Sequence, residues 1–286
     1  MKPQQTTKKE AAPSTEMAAP KAAVSDETAV SELAAYEQFA GAGFENQTSD
    51  DMSIPFLTIL QGLSPQLQDN VALRQGMIFN TVTGDFVEGK EGTSFVPVLT
   101  QHVYVEWKPR TAGGGFVGIR EITDASVVKA KAESKEYGKY KTMDGNELIE
   151  TFYVYGLDLG AKGEGCAQAV LAFTSSQIKK YKAWMTKART IQIVLPDGRR
   201  IPAPLFAHKY RLLTVGEKNQ KGSWFSWNVI FDAADAAAAR ILPSNPLFKS
   251  ALALKKAIED GKAKAQHESQ APAEGEGAAS KEDAPF

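Results

Sequence analysis

From Met77 onward the large apolar residues of this chain recur at every second position, in short runs punctuated by Gly and Asp. That period sets alternate side chains on opposite faces of an extended chain, so the fold must be built mainly from strands. Residues 102–108 show it most clearly, with Val103, Val105 and Trp107 on one face and Tyr104, Glu106 and Lys108 on the other. Residues 77–82 and 86–87 flank a Thr83, Gly84, Asp85 turn, and residues 94–99 and 116–121 read as further strands. Residues 148–159 pair with 167–173 across a connection holding Gly160, Gly163 and Gly165. A hairpin at 190–205 turns on Asp197 and Gly198, and strands 206–215 and 224–231 are joined by a loop from Gly216 to Gly222.

Helices interrupt this pattern. Ala35, Tyr36, Phe39 and Ala40 form one short helical face before Gly41 and Gly43. Ile54, Leu57, Leu60 and Leu63 fall near helical spacing, with Asp50, Asp51 or Ser53 to cap, Pro55 in the first turn, and Ser64 and Pro65 as the stop. Asp124 caps a helix over 125–136, Ser175 or Ser176 caps one reaching Arg189, and two Ala-rich helices close the chain. The expected fold is a β-rich α+β domain, a small barrel or sandwich with helical insertions.

The apolar residues also bound the foldable part. Residues 1–35 contain no aromatic side chain, and residues 265–286 contain no large apolar one before Phe286. Segments so poor in apolar surface do not offset the entropy of ordering, so disordered arms are expected at 1–35 and 265–286 around a single core domain at 36–264. The charge is uneven in the same way. Residues 1–50 hold four Lys against eight acids, and residues 265–286 hold Lys281 against five acids, so a net charge of −1 conceals a basic body. A basic body between acidic arms points to a polyanionic partner. Cys166 stands alone, which excludes an intrachain disulfide and a thiolate metal cage and fits a reducing cytoplasm. No apolar run approaches the roughly 20 residues of a membrane span, and the N-terminus lacks an apolar signal core. A cytoplasmic protein with no membrane partner is expected.

Catalytic and cofactor motifs fail on their context. Gly113, Gly115 and Gly118 satisfy the dinucleotide spacing but lead into a strand, where the fingerprint requires a helix N-terminus to receive a pyrophosphate. The three histidines, His102, His208 and His267, have no ligand-spaced partners, and neither Cys166 nor any Ser sits in a nucleophile elbow. Neither an enzyme nor a bound cofactor or metal is expected.

What remains is a set of segments in which cations alternate with aromatic rings. Single strands are held by cations along the phosphates and by rings stacked on bases, at ~1–3 kcal/mol per base. One segment carries Lys179, Lys180, Tyr181, Lys182, Trp184, Lys187 and Arg189, with Lys180, Trp184 and Lys187 on roughly one helical face. A second is Lys209, Tyr210 and Arg211; a third is Tyr104, Trp107, Lys108 and Arg110; a fourth is Arg199 and Arg200 after the hairpin turn. In each, the alternative is a ring that packs inward while the cations only solvate the surface.

The chain closes on Lys281, Glu282, Asp283, Ala284, Pro285 and Phe286. This ending resembles that of bacterial single-stranded DNA-binding proteins, which finish on a disordered linker and a short acidic tip ending in Pro-Phe, and that of phage counterparts ending in acids and Phe. Ala284 stands where the bacterial tip usually has Ile. Residues 54–60, 76–84, 187–207 and the stretch around His208 and Tyr210 are similar to an unassigned class of phage proteins. The resemblance implies an OB-like small barrel and sequence-tolerant binding of single-stranded DNA in phage replication or recombination, in the bacterial host cytoplasm. It further implies that Glu282, Asp283, Pro285 and Phe286 recruit replication proteins such as a polymerase or helicase-primase, the Phe filling an apolar pocket and the acids meeting cations around it. The alternatives are a strand-annealing recombination protein that forms homo-oligomers, and a structural or host-interaction protein without DNA affinity.

Overall fold

Two long antiparallel strands organise the molecule, seen here in a computed structural model that describes residues 35–39, 42, 43, 45, 53–220, 222–261 and 263–265. The chain divides into two compact units, Met1–Gln47 and Thr48–Phe286. In the first, the described residues form a 3-10 turn at Tyr36–Phe39 with both rings exposed. The expected disordered arms fall almost wholly outside the described residues.

The second unit contains β1 (Ser53–Ile54), β2 (Leu57–Ile59), α1 (Gln66–Asp69), β3 (Ile78–Asn80), β4 (Phe86–Val87), β5 (Thr93–Trp107), β6 (Phe116–Glu121) and α2 (Ala125–Glu133). It continues with β7 (Tyr140–Lys141), β8 (Glu147–Gly160), β9 (Ala167–Thr174), α3 (Ile178–Thr190), β10 (Gln192–Val194) and β11 (Arg200–Pro202). β12 (Tyr210–Asn219), β13 (Gly222–Phe231), α4 (Pro246–Glu259) and β14 (Lys264–Ala265) complete it.

β5 and β8 pair from Ser94↔Gly160 to Trp107↔Glu147, and each takes different second partners along its length. The start of β5 pairs with β12 and its end with β6; the start of β8 pairs with β7 and its later part with β9. The result is a forked open sheet of order β13-β12-β5-β8-β7, with β6 and β9 as branches. This corrects the expected OB-like barrel. Closure needs each strand to hand on to one neighbour around a ring, whereas here the two longest strands split their pairing between two branches.

β5 is one strand where two were expected, at 94–99 and 102–108. Pro97 cannot donate to a ladder, and the register shift between Pro97 and Leu99 leaves Val98 as an extra residue. The bulge also changes which residues face one core, from Val96 before it to Leu99, Val103, Val105 and Trp107 after it.

Both faces of the sheet are covered. On one, Val96, Val105, Tyr153, Tyr155 and Leu157 join a core with Ala251 and Leu254 of α4. Asn245 caps that helix, accepting from Leu247 N at 2.9 Å, and Pro246 fills its first turn. On the other face, Phe95, Phe152, Leu171, Tyr210 and Trp227 pack with Trp184 of α3 and with Leu57, Ile59 and Ile78 of the small β2-β3-β4 sheet. α2 covers Tyr104, Tyr140 and Leu148 with Val127 and Ala130. Each fully buried large side chain contributes roughly 1.5–3 kcal/mol.

Three local expectations are corrected. In place of the helix expected over 54–63 stand two short strands, β1 paired with β14 and β2 with β3, because Phe56 bridges Val170 and the Pro55 carbonyl accepts from Val170 N; a residue before Pro also disfavours the helical region. Of the two Ala-rich helices only α4 forms, residues 233–239 being bends and turns. Neither Ser175 nor Ser176 caps α3; Gln177 holds that position without a side-chain cap. β12 and β13 also run further than expected, pairing to Asn219↔Gly222.

Candidate functional site

Where the ends of β5, β8 and β9 lie side by side, the sheet carries Val105, Trp107, Ile149, Thr151, Ala172 and Thr174 toward an open groove of about 1120 Å³. Its other wall is β2 and the loop after it, from Gln61 to Gln66. That wall is pinned, because Gln61 Nε2 donates to the Phe225 carbonyl and Gln61 Oε1 accepts from Phe225 N, both at 2.9 Å. Ser175 also lines the groove, at φ 46, a strained conformation for a residue with a side chain. Lys108, Arg110 and Lys141 stand among the lining residues with one acid, Glu147.

Register explains why these cations meet. Lys141 pairs with Glu147 across β7 and β8, and Glu147 pairs with Trp107 across β8 and β5. Beyond Trp107, Lys108 N donates to the Gly115 carbonyl, and the chain returns through Gly113, Gly114 and Gly115, all at positive φ. The dinucleotide-like spacing is therefore a hairpin connection into β6.

The other segments are turned differently. Trp184 is 4% exposed and Tyr210 3%, and their rings meet edge-on at 5.3 Å inside the core. Burial pushes the Tyr210 phenol up to about 12. Tyr181 is half-buried and stacks on Phe152 at 4.6 Å. These placements correct the expectation that Trp184 and Tyr210 form stacking platforms: the inward side of α3 and the inward side of β12 are those that carry the rings. Trp107, 6% exposed, is also a core ring, packed edge-on against Phe116 at 5.7 Å, though it lines the groove.

The cations of α3 do reach solvent. Lys179, Lys182, Lys187 and Arg189 are exposed, whereas Lys180 pairs with Glu217 at 2.6 Å. Arg211 is engaged within the fold, with Asp232 at 2.8 Å and the Ala161 carbonyl at 2.8 Å. Lys209 is half-buried. Arg199 pairs with Asp197, and Arg200 is exposed on the β10–β11 hairpin beside exposed Val194 and Ile201.

Of the expected residues, then, Trp107, Lys108 and Arg110 come together, and the α3 and hairpin cations lie elsewhere. Lys141 was missed as a site residue, although the basic run Lys135, Lys139, Tyr140, Lys141 was its signal. Among the described residues no group of three metal-binding side chains is present, and no helix is long and apolar enough to cross a membrane. Residues 23–264 match the family described as Pam3 phage gp34-like protein. The chain belongs to that family. This supports a bacteriophage origin, and the matched span includes every residue that lines the groove. No curated protein and no solved structure matches the chain. The tip residues Glu282, Asp283, Pro285 and Phe286 lie beyond the matched span and outside the described residues.

Proposed function

We propose that this phage protein binds single-stranded DNA without marked sequence preference, in support of phage DNA replication or recombination, and that the groove is where the strand lies. The observation that carries the reading is the gathering of Lys108, Arg110 and Lys141 around a groove lined by Thr, Ser, Gln and apolar side chains with the one acid Glu147. Cations at a groove mouth follow phosphates, and neutral hydroxyls and apolar surface accept any base. The basic body and the exposed cations of α3 add a longer-range attraction. In this reading the C-terminal tip serves protein partners, as its resemblance to other single-stranded DNA-binding proteins implies.

Anisotropy of a fluorescent oligo(dT) titrated with the full chain at several salt concentrations tests this. Binding should weaken with salt, the logarithmic slope being about −0.7 per phosphate engaged on a single strand. Absence of binding at every salt concentration would reject the reading.

One feature favours a second reading, a protein contact. Among the described residues β6 pairs only with β5, which leaves its outer edge without a strand partner there, and Val117, Ile119 and nearby Ile122 are exposed. Light scattering that shows stable oligomers without DNA, together with no oligonucleotide affinity, would select it.

A further inference from the structure

Tyr137 and Phe86 are the exposed aromatic rings among the described residues of the larger unit. Their surroundings differ. Phe86 lies between Asp85 and Glu88 in sequence, whereas Tyr137 lies in a run that holds Lys135, Lys139 and Lys141 against the single acid Glu136. That acid is already paired with Lys139 at 2.7 Å. An exposed ring with lysines close to it in sequence is thus met on the connection between α2 and β7, where the carboxylate of Glu150 also acts on the Tyr137 phenol and raises its pKa.

This connection is held in shape. Ser134 Oγ lies 2.7 Å from the Glu136 carbonyl and 2.8 Å from that of Lys139, its one proton shared between them. Gly138, at φ 81, makes the turn that follows Tyr137. The Tyr137 ring rests edge-on at 6.3 Å against Tyr140, which is buried and packs in turn on Tyr104 at 5.9 Å. Tyr137 is nonetheless 60% exposed, so it presents a supported ring whose ordering cost is largely met before a ligand arrives.

Tyr140, against which the ring rests, is followed directly by Lys141 in β7. Lys141 lines the groove and also a second cavity of about 390 Å³, bounded by α2 residues, Arg120, the turn at Thr142–Asp144 and the acids Glu106, Asp124 and Glu133. Lys141, exposed on β7, is thus common to both cavities.

We infer that Tyr137 stacks on a base of the bound single strand, whose phosphates pass Lys141 on the way into the groove. This rests on the single-stranded DNA reading above and adds to it the ring that the buried tryptophan and tyrosine do not supply. A stacked base contributes ~1–3 kcal/mol, which corresponds to about a 5- to 150-fold change in affinity.

The test compares the full chain with Tyr137→Ala and Tyr137→Phe, using fluorescent oligo(dT) and an abasic oligonucleotide of equal length. Tyr137→Ala should lose roughly 5- to 150-fold on oligo(dT), while Tyr137→Phe stays close to the unaltered chain. Neither should change the salt slope, since the ring carries no charge. On the abasic strand, which keeps the phosphates and lacks the bases, Tyr137→Ala and the unaltered chain should bind alike. Equal affinity of Tyr137→Ala and the unaltered chain for oligo(dT) overturns the inference while leaving the groove reading intact. So does a loss that is the same on the abasic strand. No oligo(dT) binding by the unaltered chain removes the parent reading and this inference together.

Discussion

α3 and the end of β5 carry the same composition, a tryptophan among lysines and arginines, and the fold turns them in opposite ways. On α3, Trp184 is driven into the core against Phe173 and Tyr210, and Lys179, Lys182, Lys187 and Arg189 are left exposed on the outer side of the helix. At the end of β5, Trp107 lies in the sheet beneath a concavity, and Lys108, Arg110 and Lys141 stand around that concavity. The difference is one of shape. Charges spread along the outside of a helix are separated by solvent and screened within about 10 Å at 0.1 M salt, whereas charges around a groove can act on one polymer together.

The largest effect that tests this contrast is on stability. Trp184→Ala should cost ~3–5 kcal/mol, because it empties a packed site, and urea denaturation would show it as a lower midpoint. The oligo(dT) affinity of the fraction still folded should stay unchanged. A variant that keeps its midpoint and loses affinity would make Trp184 a platform after all and erase the distinction between the two segments.

Next comes the groove itself. Replacing Lys108, Arg110 and Lys141 together by Ala should reduce the magnitude of the salt slope by about 2, if each cation releases one phosphate's counterions. Their exposure keeps the cost in stability small. Replacing Lys179, Lys182, Lys187 and Arg189 by Ala should change the slope less, although it removes more charge. Should the α3 substitutions have the larger effect, the strand follows the helix and not the groove.

Much of this architecture was legible locally. Residues 102–107, 116–121, 148–159 and 167–173 are strands because alternation along a pleated chain is written in the sequence itself. Residues 54–63 misled, since Ile54, Leu57 and Leu60 happen to fall at helical spacing while the forces acting on them are remote: Phe56 is tied to Val170 and Leu57 to Asn80. The same remoteness hid the site. An amphipathic helix shows two faces and does not say which is inward; for α3 that was decided by Phe173 and Tyr210. Arg211 looked available until its partner Asp232 was brought beside it by the β12–β13 hairpin. Lys141 reaches Trp107 only through two strand registers, which no local pattern encodes.

The smallest expected effect concerns the interior that α3 and β12 share. His208 is buried next to Phe231, with ring centroids 6.0 Å apart, and its Nε2 has no hydrogen-bond partner among the described residues. Burial, reinforced by the positive charge of Arg240, lowers its pKa below the ordinary histidine value of 6.5. Above that value the ring is neutral in both the folded and the unfolded chain, and pH has no leverage through it. As pH falls below it, the unfolded chain takes up a proton that the folded chain resists, so unfolding is favoured increasingly until the folded pKa is passed. Urea midpoints measured from pH 7.5 down to 5.5, a range that stays above ordinary carboxylate titration, should therefore decline, and in His208→Gln they should decline less. If the substitution leaves the decline unchanged, the buried histidine is not its source.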